Sequence, residues 1–351
     1  MSDSTLDDAA EDTLRHEPQP LRLQLLRIVP AVIVLGLLVH YLLPRLDSVT
    51  ESIATMRSMA PWAIAFAALC ETLSYLANGA LLHSAVSLAG ERMSLRRAVA
   101  IEVGAGTVAL VAAGALGFGA AIYRWTRDGG VSRDAAMLAS WLPPVFDSLS
   151  LILFALMGAV ELLHQHQLSR STEIALVIVI AGLALVIGVV IVLLARNEWM
   201  TAIAERVTGL IRRVRPSAEN SLLIDAAERA GHAWRAMSRG GWMRPACCSL
   251  LVLTFDLLCL RYVFLGLGQH LYITTLIAGY GVPLLLGRSS FVPGGIAVVE
   301  VAMAALYGGL GVPANVAVVA VLIYRLISFW LPAVIGIPVA IALQSRRALA
   351  P

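Results

Sequence analysis

The chain has 351 residues, 59% of them hydrophobic and 14% charged, with a formal net charge of +3 and a mean hydropathy of +0.81. That balance excludes a soluble domain with a large core and describes a polytopic membrane protein. All 26 basic residues are Arg; their net excess is too small to argue for nucleic acid, and a basic cytoplasmic face against anionic lipid accounts for it.

Residues 1–20 are polar and acidic, with Asp3, Asp7, Asp8, Glu11 and Asp12, and predict a disordered tail before a signal-anchor helix. The first span runs from about Ile28 to Leu43, and Arg22 and Arg27 before it place the N-terminus in the cytoplasm. In residues 46–56, Leu46, Val49, Ile53 and Met56 recur at helical spacing, as in an interfacial helix or an ordinary loop. A second span, Pro61 to about Leu88, leads to a loop carrying Arg92, Arg96 and Arg97.

Residues 98–123 are followed by another basic loop, with Arg124, Arg127 and Arg133. A single crossing would put one of the two basic loops outside. A re-entrant hairpin that turns at Gly114, Gly117 and Gly119 keeps both inside. A span from about Ala135 to Leu163, broken by Pro143 and Pro144 and carrying Asp147, then crosses outward. His164 and His166 at its exit read as a solvated turn rather than metal ligands. An aliphatic span over 172–195 leads to residues 196–244, where nine Arg against five acids make the loop cytoplasmic.

Pro245 to about Gly268 crosses outward and carries Asp256 and Arg261, whose spacing suggests an internal bridge. The last span, about Asn315 to Leu343, ends at Arg346 and Arg347 and so runs inward. The pieces between are short. A helix over 272–287 is about 24 Å long, against a hydrocarbon core of about 30 Å. Two half-length helices meeting at RSSFVPGG fit better than two crossings, and form a second hairpin opening to the opposite side. The expected fold is all-α: a polytopic membrane protein with about six full spans and two re-entrant helical hairpins in one domain over 21–345, followed by a cytoplasmic tail, 346–351.

The halves correspond weakly, one over about 61–195 and the other over about 245–343, with the basic loop between them. Each reads as glycine break, helix, Gly-Val turn (130–131 and 311–312), charged span. With opposite orientations, that order is the pattern of inverted-topology repeats in alternating-access carriers. Cys70, Cys247, Cys248 and Cys259 have no ligand spacing and read as packing residues, so no metal or cofactor is expected.

The segment Arg288–Pro332 is the least lipid-like. A Pro-Gly-Gly break, then Glu300, then Arg325 inside an apolar helix all lie at membrane depth, where a charge costs at least ~2.5 kcal/mol unless protein or water shields it. Its motifs VPGGIAVVE (292–300), GVP (311–313) and YRLISFWLP (324–332) resemble the C-terminal signature of the membrane domain of bacterial lysyl-phosphatidylglycerol synthases and of stand-alone relatives described as flippase-like. The resemblance covers most of residues 20–345, strongly in the last sixty. In those synthases the membrane domain is associated with moving aminoacylated phosphatidylglycerol between leaflets, and a separate cytosolic domain makes it; the expectation here is a chain without that domain. Two departures stand out. Ala297 occupies a position where the family often has Gly, and in the first-half motif only Gly114, Gly117 and Arg124 match.

The resemblance implies a flippase-like lipid translocator of the bacterial plasma membrane, with both termini cytoplasmic and no enzymatic activity of its own. Arg288, Arg325 and Arg124 are then candidates for holding phosphate, because a guanidinium pairs with it bidentately. Helix N-termini after Pro293, Gly294 and Gly295 would add backbone donors. Glu300, Asp147, Asp256 and Glu102 could meet a cationic headgroup. The alternative for each charge is an internal structural bridge. Glu71, Asn78 and His83 along the second span either line the cavity or cap packing. The expected partners are a phospholipid substrate, with a second copy of the chain and a separate lipid-modifying enzyme as further candidates, and no nucleic acid. Two rivals remain: a membrane-embedded lipid transferase using Asp256 or Asp147 as base, and a scaffold for a lipid- or envelope-synthesis complex.

Overall fold

With no water in hydrocarbon to satisfy N–H and C=O groups, an apolar run of spanning length must bond to itself, and it does so as a helix. The computed structural model describes residues 59–111, 114–164, 181–182, 241–289 and 292–345, all within one unit running from Thr50 to Pro351. Every element among them is helical: α1 (Pro61–Leu88), α2 (Leu95–Val111), α3 (Ala115–Arg127), α4 (Arg133–His164), α5 (Met243–Gly266), α6 (Ile273–Ser289), α7 (Val298–Gly309), α8 (Ala314–Arg325) and α9 (Leu331–Ser345). A 3-10 turn, Pro293–Gly295, precedes α7, and a π turn, Leu326–Trp330, joins α8 to α9.

Among the described residues four runs are long and apolar enough to cross a membrane: α1, α4, α5 and the continuous stretch Ala314–Ser345. They coincide with four of the six expected spans. The span at 28–43, the segment 46–56 and residues 196–240 lie outside the described residues, as does the span at 172–195 except for residues 181–182. The described helices therefore follow one order twice: long, short, short, long. The short pairs α2–α3 and α6–α7 each pack against themselves. Between α2 and α3 the chain reverses at Gly114, whose φ of 58° is open chiefly to glycine. Gly117 and Gly119 do not share in this turn, contrary to the sequence expectation; both lie inside α3, where neither takes a positive φ and helical dihedrals are open to any residue.

Antiparallel packing of α1 on α5 sets the register of the interior. The Ala60 N–H donates to the Gly266 carbonyl at 3.2 Å, and the Ser74 hydroxyl donates to the Val252 carbonyl at 3.1 Å. Fourteen residues along α1 thus match fourteen along α5, and Glu71 falls level with Asp256. The buried apolar side chains form two clusters. One joins the first half of α1 (Ala63, Ala67) to α5, α6, α7, α8 and the second half of α4 (Leu151, Phe154). The other joins the second half of α1 (Leu82, Val86) to α2, α3, α9 and the first half of α4 (Ala135, Leu142). The long helices α1 and α4 run through both, and their stretches between the clusters carry the buried polar residues Glu71, Ser74 and Ser150 as well as Asp147.

At the start of α4, the Ser132 hydroxyl caps the Ala135 N–H at 3.3 Å. Across the loops, the Glu91 carboxylate accepts the Ser132 N–H through both oxygens, at 2.9 and 3.1 Å. Hydrogen bonds from the Ser132 hydroxyl and N–H hold the Glu91 carboxyl below its ordinary range. A lowered carboxyl contributes stability that is complete above its unfolded pKa and is lost as pH falls through the folded value. Glu91→Gln is therefore expected to lower the melting temperature of detergent-solubilised protein at pH 7, with the gap to wild type closing as the acid range is reached.

Candidate functional site

The polar residues converge at one depth. Glu71 is ten residues beyond the start of α1, Asp256 ten before the end of α5, and Arg325 eleven beyond the start of α8. At 1.5 Å per residue these are about 15 Å from one end, half of a hydrocarbon core of about 30 Å. A charge at that depth needs a partner, and three sets of partners are present.

The first set is built at the helix break. Pro293 opens the 3-10 turn, Gly294 and Gly295 take φ values of 66° and 62°, and Ala297, just before α7, takes 67°. The reversal leaves the Gly294 carbonyl free of any helix, and Arg325 fills that gap. Its Nη2 donates to the Gly294 carbonyl at 2.9 Å and its Nε donates to Glu300 Oε1 at 2.7 Å. The Phe329 ring lies beneath the guanidinium, 4.1 Å away. Arg325 is only 6% exposed. Pro332 explains why Phe329 can reach it: proline has no N–H and crowds the carbonyl four residues earlier, and the helix widens into a π turn just ahead of it. Glu300, in the first turn of α7, also meets the positive end of that helix dipole.

Ala297 pays a steric penalty that glycine would not, since a Cβ at φ 67° crowds the following carbonyl. Ala297→Gly is expected to raise stability by about 1 kcal/mol, read as a higher unfolding midpoint in detergent. An unchanged or lower midpoint would mean that the Ala297 methyl gives more in packing than its backbone loses.

The second set is Arg288 Nη2 with Asp147 Oδ2, 2.5 Å apart, joining the end of α6 to the middle of α4. It differs from the first in access, because the Arg288 side chain is 43% exposed. Asp147 Oδ1 and Glu300 Oε2 are buried with no hydrogen-bond partner, so each carboxylate keeps an acceptor for another donor. Glu102 is buried on α2, within Coulombic range of Asp147.

In the third set Asp256 does not bridge to Arg261, as the spacing suggested. Its Oδ2 accepts the Tyr280 hydroxyl at 2.6 Å and the Tyr324 hydroxyl at 2.8 Å. Five residues turn a helix by about 500°, leaving the two side chains about 140° apart. Neither Tyr280 nor Tyr324, the first residue of the YRLISFWLP motif, is among the site residues expected from the sequence. The signal was available: a tyrosine inside an apolar span needs a partner for its hydroxyl.

Helices α4, α6, α7 and α8 thus bring together Arg288, Asp147, Glu300, Arg325 and the Pro293–Gly295 turn, with Asp256 one residue-level away through Tyr324. Arg124 stands apart, exposed in the last turn of α3. Among the described residues no three His, Cys, Asp or Glu side chains cluster in a metal-binding arrangement, and the four cysteines are free.

Spanning helices around buried ion pairs, broken at mid-depth by a Pro-Gly-Gly turn, define a helical membrane protein with a polar interior. The chain belongs to the family described as the lysylphosphatidylglycerol synthase TM region, which it matches over residues 27–336. A similar protein is the UPF0104 membrane protein PH1989 of Pyrococcus horikoshii, 33% identical over 81 residues. That stretch is 23% of this chain and spans about a quarter (24%) of the relative's length.

Proposed function

We propose that the protein moves a phospholipid between leaflets, its headgroup crossing beside Arg288 and Asp147 while the acyl chains stay in hydrocarbon. The observation that carries this reading is the half-exposed side chain of Arg288 at membrane depth, its guanidinium bound to a carboxylate that has one oxygen without a partner. A lipid phosphate can take the guanidinium bidentately, and an amine or aminoacyl headgroup can give its N–H to the carboxylate. Both signs side by side suit a zwitterionic or aminoacylated phospholipid. Arg325 and Glu300 serve this site as a strut that holds the break, since both are buried and tied to the Gly294 backbone.

Alternating access by two inverted repeats fits this role. The doubled long–short–short–long order and the antiparallel α1 and α5 support the repeats, with α2–α3 and α6–α7 as re-entrant hairpins among six spans. The setting proposed is the plasma membrane with both termini cytoplasmic, no catalytic step, and a lipid-modifying enzyme upstream. The test is purified full-length protein in vesicles bearing labelled phospholipids of anionic, zwitterionic and aminoacylated headgroups. Faster loss of label to an impermeant quencher than in protein-free vesicles, graded by headgroup, is expected. Folded protein that accelerates none of them would sink the reading.

A further inference from the structure

The Arg288–Asp147 and Arg325–Glu300 pairs leave one buried acidic cluster unused. Glu71 is 6% exposed, level with Asp256 in the α1–α5 register, and the two carboxyl groups are in side-chain hydrogen-bonding contact. Neither forms an ion pair with a basic residue among the described residues. Asp256 Oδ2 is taken by two tyrosine hydroxyls, while Glu71 Oε2 and Asp256 Oδ1 are buried without partners.

Two ionised carboxylates cannot touch in a medium of low dielectric. A contact between carboxyls needs a hydrogen between the oxygens, because an ionised carboxylate only accepts. Among the described residues the cations in range of Asp256, Arg325 and Arg288, are each already held by another carboxylate. From α1 come Cys70 and Tyr75, and from α5 Cys259. From α6 and α8 come Tyr280 and Tyr324, whose protons point at Asp256. Glu102 on α2 and Asp147 on α4 add negative charge at longer range, and the facing cation, Arg325, is already held by Glu300 and Gly294.

We propose that Glu71 and Asp256 form a proton-binding site at mid-bilayer, one proton held between the two carboxyls, with Tyr280 and Tyr324 fixing Asp256 in place. A sodium ion fits less well, since both tyrosine hydroxyls are donating and too few oxygens remain to replace its water. Resting on the transport reading, the same site would couple lipid movement to a proton: the pair releases its proton to water on one side and takes one up on the other.

Infrared spectroscopy of the full chain in lipid tests the site without any transport. With Glu102, the other buried carboxyl, replaced by Gln throughout, a protonated-carboxyl band that shifts in deuterium oxide is expected at pH 7, and is expected to vanish in the Glu71→Gln/Asp256→Asn double variant while that variant elutes as folded protein. Persistence of the band in the folded double variant overturns the site, as does its loss on adding sodium at constant pH. In vesicles, a coupled wild type redistributes lipid between leaflets by about tenfold per unit of imposed pH difference, and Glu71→Gln loses that dependence. Redistribution indifferent to the pH difference overturns the coupling. An intact band with no lipid movement by any protein would remove the transport reading and leave the proton site standing.

Discussion

Arg325→Gln lowers the stability of the protein by about 3–5 kcal/mol, a loss of the size expected when one partner of a buried pair is removed. Glutamine is too short to reach both acceptors that Arg325 holds, Glu300 Oε1 at 2.7 Å and the Gly294 carbonyl at 2.9 Å. Glu300 would then be a buried carboxylate with neither oxygen satisfied, since its Oε2 already lacks a partner. The turn at Pro293–Gly295 would lose the tie that fixes its backbone, and Phe329 the cation it covers. Unfolding followed in detergent measures the effect. Glu300→Gln on the same background should recover part of the loss by removing the stranded charge, and the double-mutant cycle gives the coupling. Full stability in the single variant would mean that Arg325 is not a strut.

Gly281→Val is the second large effect, and it acts through shape alone. A Cβ at Gly281 would stand 2.6 Å from both the Cα and the N of Ala155, and one at Gly158 would stand 2.7 Å from the Cα of Ala278. The contacts are backbone on both sides, so no rotamer change relieves them. Helices α4 and α6 would have to move apart by about 1 Å to restore carbon contact. Such close packing replaces the hydrophobic effect between helices that are already in hydrocarbon. Overpacking of this kind costs about 1–3 kcal/mol or more. Here it also pulls Arg288 away from Asp147, because those residues sit on the same two helices. Yield of folded protein should fall sharply, while Gly309→Ala, where an added Cβ meets nothing within 4 Å, should leave it unchanged.

How far the sequence reached depends on the range of the interaction. The spans at Pro61–Leu88, Arg133–His164, Met243–Gly266 and Ala314–Ser345 were legible within about two residues, because transfer into hydrocarbon is decided residue by residue along the run. The breaks at Gly114 and Gly294 were legible too, as local backbone demands. Gly117 and Gly119 misled because glycine in an apolar segment serves a turn and an ordinary stretch of helix equally well. Partners were not legible. Arg288 meets Asp147 and Tyr324 meets Asp256 across helices far apart in the chain, and only the packing register brings them level. Asp256 and Arg261 looked paired because they are near in sequence, yet a helix turns them to different sides. Glu71 was noticed but given no partner, since nothing in the chain marks its level against Asp256.

The central claim is that a lipid headgroup passes the guanidinium of Arg288. Lipid movement in vesicles holding equal amounts of folded wild type and Arg288→Gln measures it most directly. Losing a charge-assisted contact worth about 1.5–3 kcal/mol predicts a flux at least ~10-fold slower per folded molecule of the variant. Equal flux from the two proteins would contradict the account.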